Sequence, residues 1–298
     1  MSITITPLHD DLGTCIRSDG ETPLLALDPT TLLDRLRTTG VVLLQNFRAS
    51  PDEFKQLSGQ LSTNFMPYRG GAIPRAQVGN DSTVLAVTGS HLRYAVSLHG
   101  EMYYTKQRPS VIWFYCAVPA AEAGETTVAD GELFYARLQP ETRSLFASQD
   151  LVYWRTYPDG VWQRVYQTDD LDELARICAE NEIEFELEAA TRSLTTRSTR
   201  SAISTSRYTQ NPVFINNILP LLDGIVGETT SYVRLADGSE IPTTVATELR
   251  SLAEELTIPI AWQPGDLLLI DNTRWLHGRH AYTDAKRDIH VRLGDIVA

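Results

Sequence analysis

Four short apolar runs constrain what this chain can become: GVVLLQNF (40–47), PSVIWFYCAV (109–118), GDLLLIDN (265–272) and RDIHVRLGDIV (287–297). Each is too short for a typical helix and rich in β-branched or aromatic residues. Each also carries Gly, Pro, Asn or Asp at or near its ends, so each predicts a buried strand. They fall towards the two ends of the chain. TVLAVTG (83–89) and SLHGEMYY (97–104) add strand signals to the first group. Between the groups the pattern turns helical, in GELFYARL, ETRSLFAS and TDDLDELARICAEN (within 131–182), before PVFINNI (212–218) and SYVRLADGSEI (231–241) return to strand. Strands contributed by distant parts of a chain must pack on one another to bury their apolar faces. The expectation is a β-barrel or jelly roll carrying extra helices.

Helices are predicted over 29–39, stopped by Gly40, over 51–61 with Ser50 as N-cap, and over 243–256. With no internal repeat and no long linker, residues 1–298 read as a single domain, a length that β-barrel folds often reach. The stretch 189–210 carries Arg192, Arg197, Arg200 and Arg207, no acid, and many Ser and Thr. It reads as a loop, and a lid over an active site is one role for it.

Composition excludes several classes. Hydrophobic residues make up 42% of the chain, enough for a packed core. A net charge of −12 repels nucleic acid and anionic membranes. The cysteines, Cys15, Cys116 and Cys178, are scattered and odd in number, which fits neither a disulfide framework nor a zinc site. No stretch reads as a secretory signal or a membrane span, so a cytoplasmic protein is expected.

Two segments carry chemistry. In His99-Gly100-Glu101, strand geometry would turn the imidazole and the carboxylate to one face. His277 lies in GDLLLIDNTRWLHGRHAY. Two histidines and one carboxylate can occupy three positions of an octahedral metal and leave three adjacent ones open, as Fe(II) oxygen chemistry requires. Alone, His-x-Glu is a weak signal, because a solvated or core histidine is commoner than a ligand. His9, His91, His280 and His290 have no such context. His280 is a decoy only three residues past His277.

The segments LHGEMYY, IWFYCAVPAAEAGETTVADG and GDLLLIDNTRWLHGR together resemble the taurine dioxygenase and clavaminate synthase-like superfamily of Fe(II)/2-oxoglutarate oxygenases. The matching elements are His99-x-Glu101, Gly124-Glu125-Thr126, Asp271-Asn272, His277-Gly278-Arg279, and Arg287 or Arg292. Ala123 departs from the pattern, standing where the family often has a second glycine. The resemblance implies a mainly β fold with helices: a double-stranded β-helix (jelly roll) core with N-terminal helices and a helical or loop insertion.

It also implies that His99, Glu101 and His277 are the iron ligands and that Thr126 and an arginine hold the distal carboxylate of 2-oxoglutarate. Arg287, ten residues past His277, is the first choice and Arg292 the second. Their odd separation would point them to opposite faces of one strand, so one should enter the site and the other not. Asp271 and Asn272 are expected to shape a turn, and Tyr103 and Tyr104 to pack.

The implied reaction consumes O2 and 2-oxoglutarate, releases succinate and CO2, and hydroxylates a small molecule. Desaturation and epoxidation are alternatives. Glu101 argues against halogenation, because a carboxylate fills the position where chloride would bind. The substrate is expected to be an amino acid or a molecule derived from one, in natural-product biosynthesis, with free and carrier-protein-tethered forms as alternatives. A zinc hydrolase and a cupin-like metal sensor without turnover are the rival readings. Both leave Thr126 and Arg287 without a role.

Overall fold

The computed structural model describes residues 2–87, 93–224 and 228–297. His91 and the end of TVLAVTG lie outside them. Two sheets form the centre. The larger runs, in spatial order, through Ile3–Thr6, Thr14–Ser18, Val41–Gln45, Leu267–Asp271, Val111–Val118, Asp288–Ile296, Asp81–Ala86 and Gln77–Val78, with Ser62–Thr63 paired beside Asp288–Ile296. The smaller runs through Ile258–Ile260, Thr126–Asp130, Trp275–Arg279 and Val96–His99. At the middle of both sheets, strands from the first half of the chain pair with strands from its C-terminal end, and the whole is a jelly-roll core.

The four apolar runs lie side by side at the middle of the large sheet because both of its faces are covered. In Val41–Gln45, Val41 and Leu43 face the smaller sheet, together with Ile112, Phe114, Leu268, Ile270, Val291 and Leu293. Val42 and Leu44 face the other way, with Trp113, Tyr115, Leu267 and Leu269, against the helices Pro29–Thr39 and Pro51–Leu61. Those helices begin as their sequences predict. Asp28 caps the first through Thr30 N and Thr31 N, and Gly40 ends it at φ 74°. Ser50 and Glu53 form a capping box on the second.

The insertion between Thr126–Asp130 and Ile258–Ile260 holds the expected helices and also an antiparallel sheet, ordered Glu184–Leu187, Leu194–Arg200, Leu151–Tyr157, Thr230–Leu235. The stretch read as a loop or lid therefore contains two strands, Leu194–Arg200 and Ile203–Thr205, and Leu194–Arg200 is central in its sheet. Its buried positions are Leu194, Thr196 and Ser198, and Thr195, Arg197 and Thr199 point the other way, so hydroxyls lie on both faces and hydrophobic periodicity misses it. Its arginines are taken by neighbours. Arg192 pairs with Asp159, Arg197 with Glu184 and the Trp154 ring, and Arg200 with Glu182.

A strand paired on both sides resists proteases. Trypsin should therefore cut slowly after Arg197, which is paired on both sides, in the folded protein, at a rate that added ligands leave unchanged. Rapid cleavage there, read by mass spectrometry, would contradict this packing.

Candidate active site

The smaller sheet brings the two histidines together. Trp275–Arg279 pairs antiparallel with Val96–His99, His277 lies opposite His99, and their ring centroids are 4.3 Å apart. Gly278 makes the approach possible, since a Cβ there would lie 2.5 Å from the Val96 carbonyl oxygen. Glu101 reaches the same point by a different route from strand alternation. The strand ends at His99, and Glu101 sits in the turn beyond it. Asn272, fully buried, fixes that turn. Its Oδ1 accepts from Glu101 N at 2.9 Å, and its Nδ2 donates to Glu101 O at 3.0 Å and Pro109 O at 2.8 Å. The Asp-Asn strand end thus shapes the backbone that carries an acid 171 residues away.

One ligand atom from each of His99, Glu101 and His277 lies within 4.8 Å of the others. His277 Nε2 is 3.5 Å from Glu101 Oε2. His99 Nδ1 faces the Ser97 carbonyl at 2.9 Å, which can only accept, so Nδ1 carries the hydrogen and Nε2 keeps its lone pair. Burial, and then His277, pull the His99 pKa down to about 3, so the ring is neutral. Burial alone would raise the Glu101 pKa; Arg75 and His277 outweigh it and hold the carboxylate ionised. Arg75 donates to Glu101 Oε2 at 2.8 Å and lies 4.0 Å over the Tyr68 ring. A neutral imidazole with a free lone pair beside a buried carboxylate suits a divalent first-row metal.

Thr126 and Arg287 line the same cavity, of about 450 Å³. Thr126 Oγ1 accepts from Trp262 Nε1 at 3.0 Å, which leaves its own proton to donate. Arg287 Nε donates to Gly124 O at 2.8 Å, while one of its terminal nitrogens is buried without a partner. Burial, and then the charge of Arg279, lower the Arg287 pKa to about 10. Both guanidiniums flank the Tyr282 ring, at 4.9 and 5.3 Å from its centroid. Two cations in one buried corner suit an anion.

Arg292 does not reach the cavity. It packs 3.6 Å over the Phe65 ring and donates to Ser58 and Thr83, on the other face of its strand. Ala123 adopts φ 54°, the left-handed region that a glycine would enter without strain.

The remaining described histidines lie elsewhere. His280 is half exposed and pairs with Glu125 at 3.0 Å. His290 is buried against Tyr115 and Asp288, and His9 is exposed beside Asp10. Tyr103 packs and donates to Asn272 O at 2.9 Å, whereas Tyr104 lines the cavity. Sequence reasoning missed Arg75, Arg155 and Asn217, which also line it.

A family model described as the taurine catabolism dioxygenase TauD, TfdA family matches residues 4–293. This chain belongs to that family. The dioxygenase is 25% identical over 268 residues to a clavaminate synthase-like protein of Arabidopsis thaliana, covering 85% of this chain and 81% of that one. It is 24% identical over 280 residues to the dapdiamide synthesis protein DdaC of Enterobacter agglomerans, covering 88% and 84%. In fold it resembles PvcB from Pseudomonas aeruginosa, with a TM-score of 0.61 at 15% identity over 98% of this chain and 91% of that one. The family and the metal-ready cluster together make it a 2-oxoglutarate-dependent non-haem iron dioxygenase.

The Asn272 clamp generates a prediction. Asn272→Ala should leave the fold in place but weaken iron binding by roughly 10- to 100-fold, as loss of an orienting partner typically does. Anaerobic Fe(II) titration measures this, and unchanged affinity would show that Glu101 needs no such support.

Proposed function

We propose that His99, Glu101 and His277 hold Fe(II), that Arg287 and Thr126 hold the distal carboxylate of 2-oxoglutarate, and that the dioxygenase hydroxylates a small molecule derived from an amino acid. The observation that carries this reading is the convergence of three ligand atoms within 4.8 Å on the wall of a cavity that also holds the Arg279–Arg287 pair. A dicarboxylate of the size of 2-oxoglutarate matches a metal at one point and two guanidiniums at another. Arg287 offers its partnerless nitrogen to one carboxylate oxygen, and Thr126 offers its hydroxyl proton.

Bound together, iron, 2-oxoglutarate and O2 supply an oxidant able to take hydrogen from a C–H bond, with succinate and CO2 released. The chain's own residues decide what that oxidant meets. Glu101, fixed by Asn272 and Arg75, occupies a metal position that a halide would otherwise need. Phe114, 5.6 Å from the His277 ring, keeps one side of the site apolar. Desaturation or epoxidation would need only a different placement of the substrate against the same residues.

Two relatives support a biosynthetic role. DdaC is a dapdiamide synthesis protein, and PvcB is an Fe, alpha-ketoglutarate dependent oxygenase from an isonitrile synthetic pathway. Among the described residues no helix is long and apolar enough to cross a membrane.

Two sets of variants test the reading. His99→Ala, Glu101→Ala and His277→Ala should each lose Fe(II) binding and substrate-dependent succinate formation, while His280→Ala keeps both. Arg287→Ala should retain iron and raise the 2-oxoglutarate requirement by roughly 10- to 150-fold, the loss expected for a charge-assisted hydrogen bond. Arg292→Ala should not raise it. Normal 2-oxoglutarate affinity in Arg287→Ala would remove the co-substrate assignment, and iron retained in His277→Ala would remove the metal assignment.

A further inference from the structure

A second group of polar side chains lines the cavity, and neither iron nor the 2-oxoglutarate corner uses it. Arg155 projects inward from Leu151–Tyr157, the insertion strand whose odd-numbered residues face the core. It is 8% exposed, and its partners are neutral: Ser231 Oγ at 3.0 Å, Gly70 O at 2.6 Å and the Tyr104 ring at 4.9 Å. Among the described residues no carboxylate pairs with it. Neutral dipoles satisfy its N–H groups without offsetting its charge, so a buried guanidinium in this setting favours an anion in the adjoining space.

Three further atoms of residues lining the cavity point to what that anion is. The Tyr104 hydroxyl is buried and has no hydrogen-bond partner. Arg75 uses one terminal nitrogen on Glu101, and the other is buried without a partner. Asn217 has a buried, partnerless Oδ1, and its backbone N–H is fixed by donating to the Tyr153 hydroxyl at 3.1 Å. Two guanidiniums and a phenol are donors suited to a planar carboxylate. The one acceptor among them suits an N–H. Asp223, the other acid on the cavity wall, is already occupied by Ser97 and Arg250.

We propose that Arg155, Tyr104 and Arg75 bind the carboxylate of the primary substrate and that Asn217 accepts its N–H. The substrate is then a free amino acid or an N-acylated one. A carrier thioester has no negative charge at that carbon and would leave Arg155 uncompensated. This deepens the function proposed above and rests on it. A purely structural Arg155, bracing the Gly70 carbonyl, would affect stability but not discriminate between ligands.

The test uses the full chain loaded anaerobically with Fe(II) and 2-oxoglutarate. The probes are the proteinogenic L-amino acids and their N-acetyl forms, each with its matching primary carboxamide. Binding is read by calorimetry and by the shift of the visible charge-transfer band of the loaded protein. At least one acid should bind, and its carboxamide should bind at least about ten-fold more weakly. Arg155→Gln should erase that preference while 2-oxoglutarate affinity stays within about two-fold. Tyr104→Phe removes only a hydroxyl, so it remains informative if the arginine variant fails to fold. It should weaken the acid by a few-fold and leave the amide unchanged. The proposal is overturned if no acid in the panel binds, if acid and amide bind alike, or if both variants keep the wild-type preference. Failure of the wild type to bind Fe(II) or 2-oxoglutarate would instead sink the reading of the site itself.

Discussion

Glu101 keeps an ionised carboxylate at 2% exposure, and much of the site's arrangement follows from that. Burial favours the protonated form, so positive charge and hydrogen-bond donors must stand close by. Arg75 supplies the charge directly and is itself stacked on Tyr68. The backbone of Glu101 cannot drift, because both its N–H and its carbonyl are held by one buried amide, Asn272, at the end of a central strand of the large sheet. The two sheets are therefore coupled at this point. The large one supplies the clamp, and the small one supplies the histidines through a strand pairing that only a glycine at 278 permits.

The N-terminal part and the ends of the core were legible in the sequence because their signals are local. Asp28, Ser50 with Glu53, and Gly40 mark helix ends by side-chain chemistry that needs no tertiary contact. The apolar runs are strands buried on both faces, so they appear as continuous hydrophobic segments. The jelly-roll core and the family were legible from motif order as well as from pattern. The grouping of His99, Glu101 and His277 was foreseen, although through strand alternation that stops at His99, two residues before Glu101. The choice between Arg287 and Arg292 could be posed from spacing, and the structure adds that Arg287 lines the cavity while Arg292 lies on the other face of its strand.

What the sequence concealed is concentrated in the insertion. Leu194–Arg200 carries hydroxyls, Thr196 and Ser198, at buried positions where a strand's inner face is usually apolar, and Thr196 Oγ1 donates to the Arg155 carbonyl of the neighbouring strand. Leu151–Tyr157 was hidden between helices, and with it Arg155, whose burial inverts the usual preference of arginine for solvent. Arg75 sits in a stretch with little regular structure, where no periodicity marks it as inward-facing. Residues of this kind are found from their unpaired atoms in the folded chain.

The charge of the cavity is the reverse of the charge of the protein. The chain as a whole carries −12, whereas among the described residues the cavity wall carries four arginines, Arg75, Arg155, Arg279 and Arg287, against two carboxylates, Glu101 and Asp223. Four minus two leaves an excess of two positive charges in a low-dielectric pocket. A divalent cation at Glu101 would double that excess, and the two negative charges of 2-oxoglutarate would only return it to its starting value. A further anion is favoured even after the co-substrate is bound, and the arginine left without a carboxylate is Arg155, away from the Arg279–Arg287 corner. The substrate carboxylate proposed for Arg155 would take up part of that excess.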